Sequence, residues 1–102
     1  MLFRSIPLRV ESPGLLNVEL YAQGERLVLH LVNLTGVGSW RAPMEEIIPV
    51  GPVVVSVRDP LRAAHRVVTW RVGGGTTRAV SRDGWLHFTL PTLREHEMAV
   101  IE

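Results

Sequence analysis

Acidic residues that could act in pairs are the first place to look for chemistry in this chain. General acid and base hydrolysis needs two carboxyl groups facing one pocket, one of them kept protonated by burial or by its neighbour. Glu45 and Glu46 are adjacent, so in an extended segment their side chains point in opposite directions. The other acids considered fall at turns or on outward strand positions, and they are Glu19, Glu25, Asp59, Asp83, Glu95 and Glu97. We therefore expect no catalytic residue here.

Metal binding is the second kind of chemistry to consider. None of the four histidines stands in an H-x-H or H-x-x-x-H pair, although strand pairing could bring His87 and His96 together. We expect His30 and His96 to be partly buried, His65 and His87 to be exposed, and no metal or cofactor to be bound. The chain has no cysteine, which excludes disulfides and thiolate zinc sites.

The sequence matches neither a serine-nucleophile motif nor a phosphate-binding loop. No serine stands in a G-x-S-x-G turn. The run Gly73-Gly74-Gly75-Thr76-Thr77 lacks the lysine of a phosphate loop and precedes a strand pattern, so it is interpreted as a hairpin turn.

Aromatic residues allow one binding hypothesis. Flat sugar faces stack on aromatic rings, and a β-sandwich that exposes Tyr21, Trp40 or Trp85 could bind carbohydrate in this way. The alternative places one tryptophan in the core and another at an interface.

Length and composition limit the class of protein. The chain has 102 residues, of which 46% are hydrophobic and 21% charged. It contains eleven arginines and no lysine, and its net charge is +1. This size fits one domain, and the even spread of charge speaks against nucleic acid or a membrane surface as a partner. No apolar run is long enough to span a membrane, and no secretory signal begins the chain, so we expect a soluble protein and favour the cytoplasm.

Alternating apolar residues predict about seven strands, in an all-β, small antiparallel β-sandwich with Greek-key-like connections. Residues 1–14, with Pro7 and Pro13, are expected to form an extended entry segment or linker, and residues 15–102 the sandwich domain. Hairpins are predicted at Gly24, at the glycine triplet and at Asp83-Gly84. The strands are predicted at 15–22, 26–34, 53–58, 65–72, 76–80, 85–90 and 95–102.

The stretch from Arg26 to Val50 is the most informative. Its first half is apolar at nearly every position, which is typical of a central strand covered on both faces. Its second half is a long, proline-containing loop that keeps large apolar residues where loops are usually polar. We predict that these residues form an interface with a neighbouring structure, and they are Trp40, Met44, Ile47 and Ile48.

Three segments resemble the C-terminal all-β domain of large multidomain glycoside hydrolases, of the β-galactosidase-like and hypothetical glycosyl hydrolase families. They read LVLHLVNLTG (27–36), EEIIPVGPVVVSVR (45–58) and DGWLHFTLPTLREHEMAVIE (83–102), and the resemblance covers residues 15–102. In those families the catalytic carboxylates lie on a separate barrel, so no catalytic residue is carried over to this chain.

The resemblance implies a non-catalytic accessory domain that packs against the catalytic domain of a parent enzyme and stabilises it. Two alternatives stay open at this point, a carbohydrate-binding module that uses the surface aromatics and an enzyme in its own right. Exposed edge strands also make a homo-oligomer plausible.

Overall fold

The computed structural model describes residues 7–35, 48–58 and 67–102. Within these ranges the fold is all-β, with two antiparallel sheets and no helix, which confirms the predicted small β-sandwich. The strands are β1 (Leu8–Glu11), β2 (Leu16–Gln23), β3 (Arg26–Asn33), β4 (Val53–Val57), β5 (Val67–Trp70), β6 (Thr76–Arg78), β7 (Val80–Arg82), β8 (Trp85–Leu90) and β9 (His96–Ile101).

The two sheets are assembled from strands that are distant in sequence. One sheet has four strands in the order β1-β4-β8-β7, and the other has five in the order β2-β3-β9-β5-β6. The chain therefore changes sheet repeatedly, and only the hairpins pair neighbours in sequence. The described residues contain no helix that could cross a membrane.

The core lies between the sheets and follows the alternation seen in the sequence. β3 contributes three fully buried leucines, and β4 faces them with three fully buried valines. Leu86, Phe88 and Leu90 of β8 are also buried, as their alternation predicts. Trp70 belongs to this core, where its ring meets Phe88 edge to face at 5.9 Å and its Nε1 donates to Thr77 Oγ1 at 2.8 Å.

Two strands appear in addition to the seven that were predicted. The segment 1–14 contains β1, whose residue Leu8 pairs with Val57, so the sandwich already includes part of the expected entry segment. The strand predicted over residues 76–80 is divided at the buried Ala79, where the chain passes from the five-stranded sheet to the four-stranded one. Alternation with a period of two cannot reveal such a crossing, because it continues across it.

The three predicted hairpins are confirmed. Gln23 pairs with Arg26 around Gly24, which has a φ of 62°. β5 and β6 are joined through the glycine triplet. Asp83 and Gly84 both have positive φ, 54° and 81°, as a type I′ turn between β7 and β8 requires.

Candidate functional site

Asn33, the last residue of β3, holds three segments together at one end of the sandwich. Its Nδ2 donates to the backbone oxygen of Ile48 at 2.8 Å and to that of Arg94 at 2.6 Å. Its Oδ1 accepts from the backbone N–H of Thr35 at 2.9 Å. A single amide thus fixes the chain before β4, the chain before β9 and the turn that leaves β3.

A second set of bonds ties the start of β2 to the same place. The Leu15 N–H donates to Thr35 Oγ1 at 2.9 Å, and the Leu34 N–H donates to the Leu15 oxygen at 2.8 Å. A side chain at Gly14 would begin 2.3 Å from Thr35 Oγ1 and 2.5 Å from Val50 Cγ1, so it would displace one of these side chains. Leu15 is therefore held beside the segment that carries Ile48.

Three large apolar side chains are exposed around this network. Leu15 is 65% exposed, Ile48 44% and Val32 36%. We call these three residues the apolar end. Their backbones are fixed by hydrogen bonds while their side chains face solvent, and exposed apolar residues of this kind are typical of an interaction surface.

The apolar end contains one of the four residues predicted to form an interface. That residue is Ile48, and the prediction for Trp40, Met44 and Ile47 falls outside the described residues. Sequence reasoning missed Leu15. Two features of the sequence could have revealed it. Leu15 directly follows Ser-Pro-Gly, and it alternates with the inward-facing residues Leu16, Val18 and Leu20 of β2, so its side chain faces outward.

A second candidate site lies on the outer face of the four-stranded sheet. The guanidinium carbon of Arg9 lies 4.7 Å from the centroid of the Trp85 ring, and that of Arg58 lies 5.9 Å from it. We call these three residues the Trp85 cluster. Beside it, Ser56 pairs with both Arg9 and His87 in the sheet register, and Ser56 Oγ is 3.0 Å from His87 Nδ1.

The other described aromatic candidate, Tyr21, lies on the five-stranded sheet. Its ring stacks on His30 with 5.6 Å between centroids and an angle of 20° between planes, and its Oη lies 3.0 Å from His30 Nε2. Tyr21 and Trp85 occupy outward positions of opposite sheets, so the structure does not bring them together. A sugar platform would have to use each separately, and Trp40 lies outside the described residues.

Glu97 corrects an expectation about the acidic residues. It is buried, although a turn or outer-face position was expected. Its carboxylate accepts from the backbone N–H groups of Val72 at 2.8 Å, Gly73 at 2.9 Å and Met98 at 3.0 Å. Glu97 therefore supports the turn between β5 and β6 through Val72 and Gly73. Glu97 lies two residues before Ala99 and four before Ile101, so the alternation of β9 places it on the same inward face as these buried residues.

The histidines are also arranged differently from the prediction. His30 is half-buried as expected, but His87 is half-buried and His96 exposed, the reverse of the expectation for these two. The expectation for His65 falls outside the described residues. His87 and His96 belong to different sheets. Across the described ranges, no group of three or more histidine, aspartate and glutamate side chains is placed to hold a metal ion.

A shallow depression beside the β2–β3 hairpin brings two acids near each other. It is lined by Gln23, Gly24, Glu25, Arg26 and Glu102, all of them exposed. General acid catalysis needs a carboxyl group shielded from water, and neither acid is shielded here. This depression does not provide the environment of a hydrolytic site.

Comparison with known proteins shows a likeness to a solved enzyme structure. No protein-family model matches the chain, and no curated protein sequence matches it. Among solved structures it is similar to α-L-fucosidase isoenzyme 2 from Paenibacillus thiaminolyticus, with a TM-score of 0.71 and 25% sequence identity. The likeness covers 93% of this chain but only 15% of the fucosidase chain. The chain is thus similar to a small part of a glycoside hydrolase.

Proposed function

We propose that this chain is a non-catalytic accessory domain of a glycoside hydrolase, which packs against the catalytic assembly and stabilises it. The observation that carries the proposal is the likeness to a glycoside hydrolase over 93% of this chain and 15% of the other. Since the matched region is so small a share of that enzyme, the rest of such an enzyme is the neighbour against which this domain would pack.

The apolar end is the surface proposed for this contact. Full burial of a leucine, isoleucine or valine side chain contributes about 1.5–3 kcal/mol. Since only the exposed parts of Leu15, Ile48 and Val32 are left to bury, the three together contribute about 2–4 kcal/mol towards the association cost. The Asn33 bonds fix the backbone beneath these side chains in advance, which reduces the entropy lost on docking. The proposed occupant is the catalytic part of the enzyme.

A test compares the chain alone with the chain in its natural surroundings. An antibody against the chain is used to precipitate it from extracts of the source cells, and the precipitate is assayed with a panel of 4-nitrophenyl glycosides that includes the α-L-fucoside. We expect the precipitate to hydrolyse at least one of them and the recombinant 102-residue chain to hydrolyse none.

Three results would overturn the proposal. The first is glycoside hydrolysis by the recombinant chain itself. The second is a precipitate that contains the chain but no glycosidase. The third is a stable dimer of the recombinant chain that Ile48→Glu dissociates, because the apolar end would then be covered by a second copy.

Carbohydrate binding is the second candidate function. The specific observation in its favour is Trp85, an indole on an open sheet face with hydrogen-bonding side chains next to it. Tyr21 is a weaker candidate because His30 engages both its ring and its hydroxyl, whereas the Trp85 ring has guanidinium groups over it. Loss of oligosaccharide binding on Trp85→Ala, in a variant that keeps its β-sheet circular dichroism spectrum, would support this function.

A further inference from the structure

We propose that the Trp85 cluster binds the carboxylate of an acidic sugar, in a uronate-bearing polysaccharide. This inference rests on the second candidate function and names the charge of the sugar. It does not involve the apolar end, which lies elsewhere on the sandwich, so it can fail without affecting the docking role.

The first support is the state of the two guanidinium groups. Arg9 and Arg58 are exposed, and each lies over or beside the Trp85 ring. Within the parts of the chain that the structure describes, no carboxylate forms an ion pair with either of them. A guanidinium stacked on an indole keeps the N–H groups at its edge free, and these form paired bonds with a carboxylate.

The second support is the position of a further arginine on the next strand. Arg82 of β7 is the register partner of Trp85, and it is exposed. Two guanidinium groups, of Arg9 in β1 and of Arg58 directly after β4, therefore lie over the indole, and Arg82 stands opposite Trp85 in the register. Glu11 is an exposed acid two residues from Arg9 on β1. Arg9, Arg58 and Arg82 thus stand near Trp85, with Glu11 and Asp83 as the exposed acids closest to them in sequence among the described residues.

The third support distinguishes a sugar from a protein partner. Ser56 and His87 lie beside the cluster and are hydrogen-bonded to each other, so a hydroxyl and an imidazole stand next to the indole. A uronate carries ring hydroxyl groups beside its carboxylate that can pair with these polar side chains, while the guanidinium groups over the Trp85 ring face the carboxylate. From β1 to β8 the face spans two strand spacings, about 10 Å, and is open on the outer side of the sheet.

The test is a calorimetric titration of the full chain with a purified oligogalacturonate and with its methyl ester, which has the same rings without the negative charges. We expect the free acid to bind at least tenfold more tightly than the ester, with an affinity that falls as salt rises. Arg9→Gln and Arg58→Gln should each weaken binding at least fivefold. Arg78→Gln is the matched control, because Arg78 is an exposed arginine on a strand of the other sheet.

Four results would overturn the inference. Equal binding of acid and ester would point to a neutral sugar and leave the second candidate function in place. An equal loss in Arg78→Gln would show that the attraction is diffuse charge. Tighter binding of poly-glutamate than of oligogalacturonate, lost in Arg9→Gln, would assign the cluster to an acidic protein segment. No measurable binding would remove the site and leave the accessory role unaffected.

Discussion

The side-chain Nδ2 of Asn33 lies 2.8 Å from the backbone oxygen of Ile48, across 15 residues of sequence. This bond joins the end of a central strand to the segment that enters the opposite sheet. The same nitrogen reaches the Arg94 oxygen ahead of β9, beside the backbone bonds that Val50 and Leu93 exchange between the same two segments. The exposed side chain of Ile48 is consequently presented from a fixed backbone.

Replacement of Asn33 tests this connection. Asn33→Ala should lower the free energy of unfolding by about 2 kcal/mol, because backbone oxygens of Ile48 and Arg94 lose their donor. Asn33→Asp should cost at least as much, since it places a negative charge against those oxygens. Urea unfolding followed by tryptophan fluorescence measures both changes. Asn17→Ala, an exposed asparagine on β2, should change stability by less than about 0.5 kcal/mol, and an equal effect at both positions would contradict the role given to Asn33.

Glu97 provides a second prediction. Glu97→Gln keeps the shape but leaves one oxygen to accept from three backbone N–H groups, so stability should fall by about 2 kcal/mol. Glu95→Gln is the control, because Glu95 is exposed and two residues away. Chemical denaturation of the two variants gives the comparison. Indistinguishable midpoints would mean that the buried carboxylate does not hold the turn between β5 and β6.

Two glycines separate steric from conformational effects. A Cβ at Gly51 would lie 2.0 Å from the backbone oxygen of Pro91, so Gly51→Ala should destabilise the fold by about 3 kcal/mol. A Cβ at Gly24 meets no atom within 4 Å, but its φ of 62° favours glycine, and Gly24→Ala should cost only about 1 kcal/mol. The melting temperature measured by circular dichroism should therefore be well below that of Gly24→Ala for the Gly51→Ala variant. The opposite ranking would show that Gly51 does not approach Pro91 closely.

The fold class could be predicted because most strands alternate in a way that identifies their buried face. Val53, Val55 and Val57 show this alternation, and the hairpin at Asp83-Gly84 follows from residue types that tolerate positive φ. Strand β1 was hidden because Pro7 and Pro13 flank a segment of only four strand residues. Which strands pair across long separations depends on the packing of the whole core, and the sequence does not encode it locally.

The candidate sites were less accessible to sequence reasoning. Ile48 was predicted to be an interface residue because it lies in an apolar loop, whereas the place of Leu15 depends on its bonds to Thr35 and Leu34. Arg9 lies on β1, Arg58 directly after β4 and Trp85 on β8, so their convergence depends on the order β1-β4-β8. Glu97 resembles a surface acid until the three N–H groups that it accepts are known.

The most direct test of the accessory role changes the apolar end within the natural protein. The double substitution Leu15→Glu and Ile48→Glu is introduced at the native gene, and the glycosidase activity that precipitates with the chain is followed at elevated temperature. Charged side chains at a packed interface lose hydration without gaining partners, so the half-life of that activity should fall about fivefold or more. Val67→Glu is the control, because Val67 has the same 44% exposure as Ile48 and lies near Glu102 at the other end of β9. A half-life unchanged by the double substitution, or shortened equally by Val67→Glu, would contradict the account.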